Sequence, residues 1–172
     1  VYMKISILLP YKENFSPEYP GAVSIFINDT LNHSKFKLST TVFGSTKYKK
    51  KFNHKYINLK CKNFLFQSQN KKYVEEFEKY ERKNKSDIIE IHNRPLYLKY
   101  FSELKGRKFV FYFHNDPLTM SGSTSVSERI FILKFCKKII FNSEWTKNRF
   151  FSELSKFYYN CEKIEVIPQS TS

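Results

Sequence analysis

The sequence predicts an α/β fold, a doubly wound, mostly parallel sheet of six or seven strands with helices on both faces. Three observations carry this. Short apolar runs alternate with amphipathic stretches from end to end, the pattern of strand–helix–strand units joined by right-handed crossovers. The runs are apolar throughout, as strands covered on both faces are. No repeat period, linker or low-complexity tract interrupts them. Residues 3–172 therefore read as one domain, and 172 residues suffice for one with a real core.

Each element has its own justification. Lys4–Pro10 (KISILLP) is a bare apolar run, followed by a polar loop over Tyr11–Pro20 with two prolines. Gly21–Ser34 places Val23, Ile27 and Leu31, with Phe26, on one helical face. Leu38–Gly44 reads as a strand ending in glycine, Ser45–Lys55 as a basic loop and Tyr56–Lys60 as a short strand. Asn70–Asn84 carries Tyr73, Val74, Phe77 and Tyr80 at helical spacing opposite a charged face. Asp87–His92 is a strand. Arg94–Gly106 reads as a helix, with Pro95 near its first turn and Gly106 as its stop. Lys108–His114 is the next strand, Asn115–Ser125 a loop, Val126–Cys136 a helix and Lys137–Ser143 a strand. Ser143–Leu154 is a helix with Ser143 as N-cap, and Lys163–Pro168 is a last strand.

Composition narrows the function classes. Lys and Arg outnumber Asp and Glu by 30 to 16, a formal charge of +14 that attracts nucleic acid, anionic membrane or phosphorylated small molecules without choosing among them. Aromatic content is high at 18%, and the bias toward Lys, Asn, Ile, Phe and Tyr is partly the habit of an AT-rich genome. Cys61, Cys136 and Cys161 are odd in number, far apart and without metal-ligand spacing, so they read as reduced thiols of a cytoplasmic protein. No apolar run approaches the roughly 20 residues of a membrane span. The first ten residues lack the small-residue cleavage site of a signal peptide.

In an open parallel sheet, ligands sit outside the carboxyl ends of the strands. Polar residues fall there repeatedly. His92, Asn93 and Arg94 follow one strand, and His114, Asn115 and Asp116 another. Asn142, Ser143 and Glu144 follow a third. Two of the four histidines thus lie at strand ends in the same His-Asn dipeptide. Singly, each has a plain structural reading: a satisfied histidine, an Asn-Asp-Pro turn, a Ser cap, an arginine holding a neighbouring carboxylate. Their coincidence on one edge favours a ligand site.

The chain resembles the N-terminal domain of GT-B-fold glycosyltransferases of group 1, or family 4. The resemblance spans essentially the whole chain. It rests on the order and spacing of KISILLP with PGAVSIFINDTLN, SDIIEIHNRP, KFVFYFHND, KKIIFNSEWTKNRF and KIEVIPQSTS. It implies a Rossmann-like domain and the acceptor-binding half of a retaining enzyme. Such an enzyme moves a sugar from a nucleotide-sugar donor to a glycan or lipid-linked acceptor, in cell-surface polysaccharide or lipopolysaccharide synthesis in a bacterium. Carried over, Pro20, Gly21 and Ala22 would face the donor diphosphate or the acceptor. His114 would line the reaction centre, with Asn115 and Asp116 in its turn. Asn93 and Arg94 would hold the acceptor, and Asn142, Ser143 and Glu144 would floor the crevice. No metal or cofactor is expected.

There are departures from the family pattern. Gly21 stands alone after Pro20 where the family's first loop is rich in glycine. An Asn separates His114 from Asp116. The closing turn is Ile167-Pro168-Gln169-Ser170 without Asn-Gly. The donor-binding C-terminal domain that follows in the family is absent from this chain, so the chain alone is expected to be inactive. The basic loop, with Lys47, Lys49, Lys50, Lys51 and Lys55, is a candidate peripheral contact with anionic membrane at the inner face. Its plain reading is a solvated loop.

Two alternatives from other classes stand beside this reading. A basic nucleic-acid binder would use Lys with interleaved Tyr and Phe, although most aromatics fall at core spacings and no recognition motif occurs. A flavodoxin-like or receiver-like small-ligand module would need an acidic cluster where Pro10, Tyr11 and Lys12 stand. A nucleophilic hydrolase lacks its GxSxG elbow, and Cys136 at the apolar end of a helix reads as core.

Overall fold

A computed structural model of the chain describes residues 2–62 and 66–169. The strands are β1 (Ile5–Leu8), β2 (Thr40–Gly44), β3 (Tyr56–Asn58), β4 (Ile88–His92), β5 (Lys108–Phe113), β6 (Lys138–Phe141) and β7 (Ile164–Val166). Among the described residues they form a seven-stranded sheet in the order β3-β2-β1-β4-β5-β6-β7, and every pairing is parallel. The chain starts at β1, winds outward to β3, then returns to the other side of β1 and winds outward to β7. The order therefore reverses between β1 and β4, and the crevice belongs outside the carboxyl ends of those two strands.

The helices are α1 (Ala22–His33), α2 (Gln69–Lys83), α3 (Tyr97–Tyr100), α4 (Val126–Phe135) and α5 (Glu144–Phe150). Side chains alternate across a strand, so each strand feeds two cores. Leu8, Phe43, Ile89, Ile91, Phe109, Phe111, Phe113, Ile139 and Phe141 point one way and meet α2, α3, α4 and α5 through Tyr73, Phe77, Leu98, Ile132 and Phe150. Ile7, Leu9 and Val42 point the other way and meet Val23, Ile27 and Leu31 of α1, the apolar face expected of that helix. Coverage is thus uneven. Among the described residues α1 is the one helix in that second cluster, beside β1 and β2, joined there by Phe15 of the preceding loop and by Phe52 and Tyr56. Towards the carboxyl ends of β4 and β5 the residues on that face, Glu90, His92 and Tyr112, are polar-tipped.

Local expectations met tertiary structure in different ways. Ser143 caps α5 by accepting from the Thr146 N–H at 3.1 Å. Cys136 is core, 1% exposed, and burial pushes its thiol far up. The helix expected over Arg94–Gly106 shrinks to the four residues of α3. Beyond it the backbone closes i→i+3 bonds, Phe101 N–H to Leu98 carbonyl at 3.2 Å and Leu104 N–H to Phe101 carbonyl at 2.9 Å, before Gly106 ends the segment at φ 74°. Tyr97 explains the tighter path. Its ring is buried, and its hydroxyl accepts from Tyr11 N–H at 3.0 Å and donates to Asn70 Oδ1 at 2.9 Å. The segment is thereby tied to two others, at the cost of regular helix. The last three residues of the closing motif, Ser170 to Ser172, lie outside the described residues.

Candidate functional site

The carboxyl ends of β4 and β5 bring His92 and His114 together. The register pairs His92 with Tyr112, so the two histidines, each at or just past its strand's end, stand side by side. His92 Nδ1 lies 2.8 Å from His114 Nε2, and His92 Nε2 lies 2.5 Å from Glu90 Oε1. His114 Nδ1 meets the Gln169 amide nitrogen at 2.5 Å. These four side chains form one chain of hydrogen bonds from β4 to the segment after β7. Aromatic rings box it in. Tyr112 stacks on His114 at 4.3 Å and on His92 at 5.4 Å, and Phe26 of α1 stands edge-on to His114 at 5.1 Å. The Tyr112 hydroxyl donates to the Ile167 carbonyl at 3.0 Å, and burial, then Glu90, pushes its pKa up to about 12. Burial, then His92, pulls the His114 imidazole down to about 3, so it is neutral at ordinary pH.

Asn93 and Asn142 belong to the same cluster. Asn93 sits at φ 54°, a left-handed turn that Asn tolerates. Its Oδ1 accepts from the His114 N–H at 3.1 Å, and its Nδ2 donates to Asn115 Oδ1 at 2.7 Å. Asn142 Nδ2 donates to the His114 carbonyl at 2.8 Å, while its Oδ1 accepts from the Thr146 hydroxyl at 2.7 Å. The backbone of His114 is thus clamped from both neighbouring strands. Arg94 is exposed and donates to the Asn93 carbonyl at 2.8 Å, and no carboxylate among the described residues pairs with it.

The remaining predicted residues are engaged elsewhere. Asp116 accepts from Arg149 Nη2 at 3.0 Å and from the Leu118 N–H at 3.0 Å, and the Arg149 bond leads in holding its carboxyl below the usual range. Ser143 is spent on its cap, and Glu144 pairs with Lys147 at 2.6 Å. Gly21, flanked by Pro20 and Ala22, is the N-cap of α1 at an ordinary φ of −74°. The start of that helix is already filled, because Glu13 Oε1 accepts from the Ser24 N–H at 3.0 Å. The helix end at which the resemblance places a phosphate or acceptor carries this chain's own carboxylate.

Beside the β1 and β2 ends, Tyr11, Lys12, Asn14, Ser45, Thr46 and Lys47 line a cleft of about 540 Å³. Lys47 also lies over the Tyr48 ring at 5.4 Å. In the basic loop, Lys51 turns inward to the Tyr48 and Lys49 carbonyls, whereas Lys49, Lys50 and Lys55 are exposed. Sequence reasoning missed Glu90, Phe26, Tyr112 and the filling role of Glu13. The period-two placement of Glu90 and His92 within IIEIH was the available signal.

No family model matches the chain, and no curated protein matches it. Solved structures do. HepE of Anabaena, crystallised with UDP-glucose, superposes with a TM-score of 0.63 at 13% identity over 95% of this chain and 43% of its own. Sucrose-phosphate synthase of Thermosynechococcus elongatus gives 0.66 at 14% identity, over 98% of this chain and 48% of its own. The lipopolysaccharide outer core galactosyltransferase WaaB, in its apo form, gives 0.65 at 16% identity, over 99% of this chain and 46% of its own. The chain spans less than half the length of each of these proteins. The likeness is one of fold: this chain has the Rossmann-like α/β architecture of one part of each of these proteins.

Proposed function

We propose that the chain is the acceptor-binding half of a retaining glycosyltransferase, moving a sugar from a nucleotide-sugar donor to a glycan or lipid-linked acceptor in cell-surface polysaccharide or lipopolysaccharide synthesis. The supporting observation is the polar cluster of His92, Asn93, His114 and Asn142 at the carboxyl ends of β4, β5 and β6, next to the reversal point of a sheet whose fold is shared with glycosyltransferases. Bound nucleotide sugar in HepE supports the donor class. In this reading His114 faces the transferred sugar, Arg94 and the cleft with Lys12 and Lys47 hold the acceptor, and the rest of the donor site lies outside this chain. Diphosphate charge is met by protein groups, without a metal. The protein works on the cytoplasmic side of a membrane, touching it through the basic loop.

The test is a nitrogen-15 chemical-shift titration of this chain with glycan and phosphorylated lipid-linked acceptor fragments. Shifts confined to the carboxyl edge, at Asn93, Arg94, His114 and the Lys12–Lys47 cleft, are expected. Shifts confined to the opposite edge of the sheet would overturn the assignment.

A further inference from the structure

Between the exposed Gln169 amide and the carboxylate of Glu90 lie two imidazoles, and only one arrangement of their protons satisfies every contact with both rings neutral. Gln169 meets His114 Nδ1 through its amide nitrogen, which is a donor, so Nδ1 must be the bare, accepting nitrogen. The proton of His114 is then on Nε2 and is donated to His92 Nδ1. His92 in turn carries its proton on Nε2 and donates it to Glu90 Oε1. An ionised carboxylate only accepts, so Glu90 sets the direction of the whole row. The row is shielded. His92 is 0% exposed, and Phe26 and Tyr112 each lie against both rings. No Lys or Arg among the described residues bonds to either ring.

We propose that Glu90 and His92 are positioning residues that lock His114 as the Nε2–H tautomer and so present its bare Nδ1 to the crevice as an acceptor for an N–H or O–H group. Gln169 fills that acceptor here, and a substrate hydroxyl is the chemical class that takes its place. The inference deepens the proposed function, since it says what His114 offers a sugar or acceptor. Its first part stands without that reading, because the tautomer is observable in this chain with no ligand. The lowered pKa of His114, caused by burial first and His92 second, agrees with a neutral ring at this position. The carboxylate–imidazole pairing is the usual way a protein chooses which ring nitrogen carries the proton.

The experiment is long-range nitrogen-15 NMR of the imidazoles at neutral pH, in the wild type, E90Q and Q169A. The wild type is expected to show His114 as a single neutral tautomer, protonated at Nε2. Q169A, at an exposed position, is expected to keep that tautomer. E90Q, whose amide can donate as readily as accept, is expected to populate both. A wild-type His114 protonated at Nδ1 would overturn the proposal, whatever the variants do. So would a tautomer that switches in Q169A, because control would then come from the crevice side. If E90Q does not fold, the wild-type and Q169A spectra decide alone. A correct tautomer alongside failed acceptor titrations would sink the glycosyl-transfer reading and leave the row intact.

Discussion

The carboxylate of Glu13 occupies the space that a side chain at Gly21 would need. A Cβ built on Gly21 would lie 1.8 Å from Glu13 Oε1, the same oxygen that accepts from the Ser24 N–H at the start of α1. Gly21 is therefore glycine for the sake of an internal carboxylate, at a φ any residue adopts. The clash is with the end of a flexible side chain, so G21A is expected to displace Glu13 and cost about the value of a helix cap, ~1 kcal/mol. E13A should cost a similar amount. The two changes remove one interaction, so the double variant should cost less than the sum, which denaturant unfolding of all four proteins measures.

Acid should weaken the fold through His114. Its pKa falls from 6.5 to about 3 on folding, for burial first and His92 second. Between those values the unfolded chain binds a proton that the folded chain refuses, so stability drops as pH falls through that window. The lowered pKa of His54, caused mainly by burial, acts in the same direction. Unfolding free energies at pH 7 and pH 5 should therefore differ in the wild type, and H114N should shrink the difference without abolishing it.

Asp116 is held as a loop anchor. It pairs with Arg149 and caps the turn at Leu118, and Arg149 itself lies against the Trp145 ring at 5.6 Å. D116N should lower stability by about 1 kcal/mol, because the pair is partly solvated and the amide still accepts from Leu118. Acceptor-fragment shifts at His114 should persist in D116N. Their loss would make Asp116 a binding residue after all.

The basic loop makes a graded prediction. Lys49, Lys50 and Lys55 are exposed, whereas Lys51 is turned back onto its own backbone. Replacing Lys49, Lys50 and Lys55 with Gln should weaken sedimentation with vesicles rich in anionic lipid, by about 1 kcal/mol per lysine removed. K51Q should cost little binding. Equal losses at all four positions would contradict the orientation described.

The strands were legible because each is a short apolar run bounded by polar residues, and even Tyr56–Asn58 stands out between the basic loop and the charged stretch after it. Those runs put His92, Asn93, His114 and Asn142 on one edge from the sequence pattern alone. What they could not show is which face of β4 stays lightly covered. Glu90 is a single carboxylate within the otherwise apolar run Ile88–Ile91. Its meaning depends on α1 ending its cover beside β1 and β2, with Phe26 reaching the histidines. The helix over Arg94–Gly106 was over-read because Tyr97 bonds to distant partners, and tertiary contacts outweigh propensity there. Glu13 was invisible as a cap because its partner lies eleven residues on, across a loop with two prolines.

The most direct test of the acceptor-half assignment is calorimetric titration of this chain with UDP-, GDP- and ADP-sugars. The account predicts no detectable heat of binding, because the proposed division of labour assigns the grip on the nucleotide to groups outside this domain. Saturable micromolar binding of any one of them would mean that the domain holds the nucleotide itself, and the division of labour proposed here would be wrong.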